Sequence, residues 1–287
     1  MKQAIGLVVD STADFPLGMA DALGLHIVPI HIMIDGKDHR HGIDIQNAQI
    51  LAAMREGREV STAPPIPSEY TDVFETLLTN YDRLVSLHVS RQLSKCFVSA
   101  QSAVQLFFEE TAARLKAVDT RTCTVGQALL VHRARAMLQE GLGMEELVRE
   151  LDFYINNSSL YFTVDNLYWL KRAGRLNFFS SALGGMLDIK PVIGLKNGKL
   201  YPLSKHRGFE AALEAIAAFT REDYRLHRGE CDIWLAHAEA RDKVDYLLHK
   251  LEEWIPAAMD RIRIAEIGPT ISAHAGPGCI CLSVVPN

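Results

Sequence analysis

Residues 5–12 read Ile-Gly-Leu-Val-Val-Asp-Ser-Thr, a short apolar run rich in branched side chains that stops at three polar residues. A continuous apolar run of this length, without alternation, fits a strand buried on both faces and ending in a polar loop. The same order returns further along. Residues 84–89 form the next strand and residues 90–94 a polar turn. A helix is then expected from about 95 to 115, with Phe97, Ala100, Val104 and Phe107 as its buried stripe. Residues 116–119 make another short strand, followed by helices over 124–140, which Gly141 ends, and over 144–156. Strand, polar loop and helix in repetition predict a parallel sheet with helices on both faces, an α/β/α domain. In such sheets functional groups gather beyond the carboxyl ends of the strands, where Asp10-Ser11-Thr12, the 90–94 turn and Asp119-Thr120 lie.

The intervening segments fit the same domain. Residues 17–23 and 43–54 read as helices, 25–34 as one extended run and 35–38 as a turn. Pro64, Pro65 and Pro67 make 61–67 an extended loop, and Ser68 is placed to cap the next helix, whose apolar face is Tyr70, Phe74 and Leu77. After about residue 158 the pattern changes. Residues 160–164 and 192–195 are extended, and Asn197-Gly198 turns the chain back into 200–203 as a hairpin. A helix over 209–219, a strand over 232–237, a helix over 244–254 and strands over 261–267 and 279–284 complete the chain. The expectation is two domains: residues 1–157, α/β with a parallel sheet, and residues 158–287, α+β with a largely antiparallel sheet.

The 287 residues are 48% apolar and 23% charged, ordinary globular proportions that suffice for a sizeable core. A formal net charge of −5, with no Lys/Arg-rich run, speaks against nucleic acid as a partner. No window approaches ~20 consecutive apolar residues, so no membrane insertion is expected, and the first residues do not read as a signal peptide. Five scattered cysteines fit reduced, buried thiols and a cytoplasmic protein. No Gly-x-Ser-x-Gly, P-loop or Rossmann pattern occurs. His26, His31, His39 and His41 have no zinc-type spacing, and Lys37 and Arg40 oppose a cation there, so no metal is expected.

Several polar positions stand out. Ser90 and Ser94 open a long helix, where hydroxyls either cap the free backbone N–H groups or join them in binding an anion. Thr62 begins the stiff proline-rich loop. Lys171-Arg172-Ala173-Gly174-Arg175 sets three cations around a small turn clasped by apolar flanks, one of them residues 176–179. Lys205-His206-Arg207-Gly208 is a second basic cluster. His274 sits between Gly268-Pro269 and Gly276-Pro277, so its backbone is closely defined in a loop and its ring has a fixed direction, suited to donating to an anion.

In order along the chain, Val9-Asp10-Ser11-Thr12-Ala13-Asp14, Thr62 with its prolines, Ser90/Leu93-Ser94, Asp119-Thr120 with Gly126-Gln127, Leu170 to Leu176, Ile189-Lys190-Pro191, Lys205 to Gly208 and His274 to Gly278 resemble the DegV family of bacterial fatty-acid-binding proteins. The resemblance runs from the first strand to the last. It implies a DegV-like fold that binds one long-chain fatty acid between two domains. The carboxylate would be held at the mouth by Thr62 and Ser94 with His274 close by. A carrier of this type presents the acid to a separate ATP-dependent fatty-acid kinase, which makes an acyl phosphate. Arg172 and Arg207 would lie at the rim, facing the kinase or the acyl phosphate. No cofactor and no catalytic residue are implied. Arg91, Gln92, Lys95 and Cys96 replace small residues usual in the Ser90 turn, Ala63 and Pro64 follow Thr62 where serine and glutamine are usual, and His41 stands for a usual aspartate.

The slot wall is expected from residues 178–193, where Ala182, Gly184 and Gly185 leave space and Leu183, Met186 and Leu187 are apolar. Two other readings remain open on the sequence. One is an acyl- or phosphoryl-group enzyme using His274 as acid/base and Arg172 as anion clamp. The other is a lipid-sensing regulator built on the same pocket.

Overall fold

The structure is a computed structural model and describes residues 3–175 and 189–287. In chain order the first half runs β1 (Gln3–Asp10), α1 (Met19–Ala22), β2 (His26–Val28), β3 (His31–Ile34), β4 (Lys37–Arg40), α2 (Asn47–Arg55), β5 (Val60–Ala63), α3 (Pro67–Leu77), β6 (Tyr81–His88), α4 (Cys96–Gln105), α5 (Glu109–Ala112), β7 (Leu115–Asp119), α6 (Thr124–Gln139) and α7 (Met144–Asn157). The second half runs β8 (Ser159–Thr163), α8 (Leu167–Arg172), β9 (Ile189–Lys196), β10 (Lys199–Arg207), α9 (Phe209–Leu226), β11 (Cys231–His237), α10 (Arg241–Trp254), a 3₁₀ turn (Pro256–Arg261), β12 (Ile262–Glu266), α11 (Pro269–Ala275) and β13 (Ile280–Pro286).

The first half is built on a parallel sheet of order β2-β1-β6-β7. Leu7 to Val9 of β1 form a continuous buried apolar run, and β6 buries Leu84, Val85 and Leu87 beside Ser86 and His88, because helices cover both faces. The second half is built on a six-stranded sheet of order β10-β9-β8-β13-β11-β12, antiparallel except for the β11/β12 pair. The fold is thus α/β with a parallel sheet and a separate, mostly antiparallel one, as the sequence predicts. Helix α6 lies between the two. It is buried on nearly every side, and a Cβ at Gly126 would stand 3.0 Å from Leu160 of the second sheet. One buried core therefore runs from Leu7 and Val85 through Leu129 and Leu130 to Phe162, Trp234 and Val285.

Several elements differ from the sequence expectation, each for a local reason. The extended run over 25–34 is two strands in different sheets, parted by Pro29, which has no N–H for a ladder. Residues 60–63 are not loop but β5, paired with β3 through Thr62 and Ile32, because the prolines begin only at 64. Pro67, with no N–H to leave orphaned, starts α3 itself, so Ile66 rather than Ser68 holds the cap position, and Glu69 accepts the Ile66 N–H at 2.8 Å. The helix expected over 95–115 ends at Gln105. Phe108, 91% exposed and extended (ψ 151°), cannot continue it. His274 lies not in a loop but in α11, which Pro269 opens at its first position and Gly276 (φ 76°) closes. All five cysteines are free and buried. Among the described residues no helix is long and apolar enough to cross a membrane, and no His, Cys, Asp and Glu side chains gather as a metal site.

Candidate ligand-binding site

A cavity of about 470 Å³ opens between the carboxyl ends of β1, β6 and β7 and the second half of the chain. Its volume falls within the ~300–1,000 Å³ of small-molecule sites. Most of its wall is apolar: Ile30, Val89 and Leu93 from the first half, Leu160, Phe162, Leu170 and Leu200 from the second. Thr12, Thr124 and Thr270 also line it, but each hydroxyl has a partner outside the lining. Thr12 Oγ1 lies 2.7 Å from Gln127 Oε1, Thr124 Oγ1 donates to Asp14 Oδ2 at 2.6 Å, and Thr270 Oγ1 pairs with His41 Nδ1 at 2.8 Å.

Thr62, Ser94 and His274, the three positions singled out in the sequence, all line this cavity. Thr62 arrives on β5 and His274 on α11, and Thr62 Oγ1 and His274 Nε2 are 2.8 Å apart. Burial and, secondly, the Arg175 guanidinium lower the imidazole pKa to about 4, so the ring is neutral and carries one N–H. His274 Nδ1 is buried without a partner. A proton there would be an orphaned buried donor, so the N–H belongs on Nε2 and donates to Thr62 Oγ1. Thr62 then keeps its own hydroxyl proton for the cavity. Ser94 lies on the same wall. Its Oγ accepts the Cys96 N–H at 3.4 Å and lies 3.1 Å from Cys96 Sγ. Either atom of the Ser94–Cys96 contact can donate, so the Ser94 hydroxyl is a candidate donor to the cavity just ahead of α4, whose N-cap is Lys95. Ser90 is structural, its Oγ donating to Gly198 O at 2.8 Å on the β9–β10 hairpin.

Of the three cations at 171–175, the one facing the cavity is Arg175, which the sequence did not single out. Its Nε donates to Leu93 O at 3.0 Å. The signal was Gly174, whose φ of 68° turns the chain back after α8. Arg172 is exposed, donates to Arg58 O at 3.3 Å, and lines a second pocket of about 380 Å³ that shares Thr62, Arg175 and His274 with the first. Arg207 ends β10, exposed, and lines neither pocket. Of the expected slot wall over 178–193, residues 178–188 lie outside the described residues, as does the 176–179 apolar flank.

A polar cluster that the sequence reading missed fastens α11. Asp14 Oδ1 accepts the Gly268 N–H at 2.9 Å, ahead of the helix, and His41 holds Thr270. A Cβ at Gly268 would come within 2.9 Å of both Asp14 and His41, so only glycine allows this approach. Burial raises the Asp14 pKa to about 7, against its bonds to Thr124 and Gly268, and lowers that of His41 to about 4.

A second buried network has the connectivity of a hydrolase triad. Ser86 Oγ lies 2.7 Å from His88 Nε2, and His88 Nδ1 lies 3.2 Å from Asp10 Oδ2. Burial pulls Asp10 upward, but His88, Thr12 and the Val89 N–H together hold it below the usual carboxylate range. All three side chains are at most 1% exposed, and neither Ser86 nor His88 lines the cavity. A nucleophile needs access as well as a base. This network instead ties the carboxyl ends of β1 and β6 together.

The DegV family profile, described as a family of uncharacterised proteins, matches residues 4–287, and the chain belongs to that family. A DegV domain-containing protein of Deinococcus radiodurans is 31% identical over 284 residues, covering 99% of each chain. Among solved structures, a DegV family protein from Thermus thermophilus, described for its fatty acid binding, is 29% identical, with a TM-score of 0.90 over 99% of this chain and 100% of that one. A DegV lipid-binding protein from Thermotoga maritima is 26% identical, with a TM-score of 0.86 over 100% and 99%. A fatty-acid-binding DegV protein from Streptococcus agalactiae is 25% identical, with a TM-score of 0.89 over 99% of each chain.

Proposed function

We propose that the chain binds one long-chain fatty acid in the 470 Å³ cavity and presents it to a separate fatty-acid kinase that converts it to an acyl phosphate. The observation that carries this reading is the Thr62–His274 pair, at 2.8 Å, set with Ser94 on the wall of a mainly apolar cavity. Two alcohols able to donate suit one carboxylate, which would otherwise be buried at high cost. The tail supplies affinity: about 0.8 kcal/mol per buried methylene, so ~10 kcal/mol for a long chain before ordering costs. Solved relatives described as binding fatty acid or lipid share the fold over nearly the whole chain, which supports the same ligand class. In this reading the chain is a cytoplasmic carrier rather than an enzyme. Arg172 and Arg207, both exposed, face the kinase or the acyl phosphate at the rim. The carrier role is tested by adding ATP and a fatty-acid kinase to the loaded protein: acyl phosphate forms, and Arg172→Ala with Arg207→Ala slows it.

Thr62→Ala with Ser94→Ala removes both donors. The expected loss is about 2–3 kcal/mol, ~30–150-fold in palmitate affinity, read by isothermal titration. Unchanged affinity in the double variant refutes the head-group assignment.

A further inference from the structure

Ser94 serves a carboxylate only if its hydroxyl hydrogen faces the cavity, and its 3.1 Å contact with Cys96 Sγ leaves open which atom donates. The side chains behind Cys96 settle the direction. Asp10 is anionic and fully buried. Its Oδ2 accepts the Val89 N–H at 2.8 Å and lies 3.2 Å from His88 Nδ1. A carboxylate only accepts, so His88 Nδ1 carries a hydrogen whichever charge the ring has. Tyr70 Oη lies 3.5 Å from the same nitrogen and therefore cannot donate to it. Tyr70 is itself fully buried, and its hydroxyl adjoins the Cys96 thiol. Among the described residues, Cys96 Sγ is the acceptor left for the Tyr70 hydrogen. A thiol that receives one hydrogen can give its own to the next acceptor, here Ser94 Oγ. Ser94 Oγ then takes the Cys96 S–H and, at 3.4 Å, the Cys96 N–H. Its own hydrogen is left for the cavity.

We propose that Tyr70 and Cys96 are positioning residues for the fatty-acid head: the buried chain Asp10–His88–Tyr70–Cys96 aims the Ser94 hydroxyl hydrogen into the cavity. Neither Tyr70 nor Cys96 lines the cavity, so both act through Ser94. The consequence for binding rests on the reading of Ser94 as a carboxylate donor, whereas the direction of the hydrogen bonds does not. The Asp10–His88 pair thereby gains a role beyond tying β1 to β6, because it fixes the hydrogen on His88 Nδ1 and so turns the Tyr70 hydroxyl toward sulfur. A donor already aimed does not have to be ordered when the acid arrives. Cysteine or serine at position 96 can pass the direction on in this way, and valine cannot.

The infrared S–H stretch of Cys96, identified as the band lost in Cys96→Ser, reads the direction on the full-length protein without any ligand. A thiol that donates absorbs at lower frequency than a free one. Ser94→Ala removes the acceptor, so the band moves to higher frequency. A band that stays in place shows that sulfur does not donate to Ser94 and overturns the proposal. Palmitate affinity, by isothermal titration, reads the consequence. Tyr70→Phe leaves Sγ free to accept from Ser94, which turns the serine hydrogen away from the cavity, and palmitate binds about three- to tenfold more weakly. That loss persists when Tyr70→Phe is made in Cys96→Ser and vanishes when it is made in Cys96→Val or in Ser94→Ala. An equal loss in every background, or none in the parent, overturns the proposal, because a merely structural Tyr70 acts whatever stands at 94 and 96. Circular dichroism melts check that each variant folds, and the infrared measurement needs no change at Tyr70. If palmitate does not bind the parent protein, the fatty-acid reading fails, while the S–H band still decides which way the Ser94 hydrogen points.

Discussion

At the residue scale, the environment sets what each polar side chain can do. Asp14 is an ordinary carboxylate in the unfolded chain, but burial carries its pKa to about 7 in the fold. The folded state therefore holds the proton more tightly. The stabilisation is complete below the unfolded pKa near 3.8 and is lost as pH rises through about 7, a difference of ~4 kcal/mol at 1.36 kcal/mol per unit. His41 and His274 act in the opposite sense. Their folded pKa values of about 4 give stability that is present above 6.5 and lost as pH falls toward 4. Asp14→Asn mimics the protonated acid. It should stabilise the protein by up to ~4 kcal/mol at pH 8, and the gain should vanish by about pH 4. Urea unfolding of parent and variant across that range measures the difference. A difference independent of pH would mean that Asp14 titrates normally. Residue types were legible in the sequence: Thr62, Ser94 and His274 were all chosen there. Their partnership was not, because Thr62 and His274 are 212 positions apart and only the fold joins them. The choice between Arg172 and Arg175 was likewise hidden, since the backbone turn at Gly174 decides which one faces the cavity.

At the element scale, α11 decides whether the site exists. Glycine and proline on both sides of His274 read as a rigid loop. The same residues are also the start and stop signals of a short helix, Pro269 at its first position and Gly276 in a left-handed conformation at its end. Sequence spacing does not separate the two cases. Packing does, because α11 is fastened by Asp14 to Gly268, by His41 to Thr270 and by Thr62 to His274. Thr270→Val keeps the shape and leaves His41 Nδ1 unpaired. The expected loss is about 1–3 kcal/mol in urea unfolding, together with weaker palmitate binding as His274 loses its bearing. A neutral effect on both measurements would show that α11 is held by packing alone. Gly276 adds a steric condition. A side-chain carbon there would fall on the Trp169 ring, so this end of the helix cannot be rebuilt with another residue.

At the scale of the whole molecule, the strand-and-helix order of the first half was readable because its buried strands are short, mainly apolar and closed by polar residues. The second sheet was readable as mostly antiparallel through the Asn197-Gly198 hairpin. Its strand order was not, because β8 pairs with β13, the last strand, across more than a hundred residues. That pairing, with α6 buried between the two sheets, brings Leu160 and Phe162 opposite Val89 and Leu93 to make the cavity. The cavity is thus a product of the assembled chain. Its central test is whether a lipid lies inside it. Native mass spectrometry of the protein purified from bacterial cells should show one added mass per chain, equal to a single long-chain fatty acid, which organic extraction releases. Protein that arrives without the added mass, and that takes up neither palmitate nor oleate when these are supplied, would contradict the account.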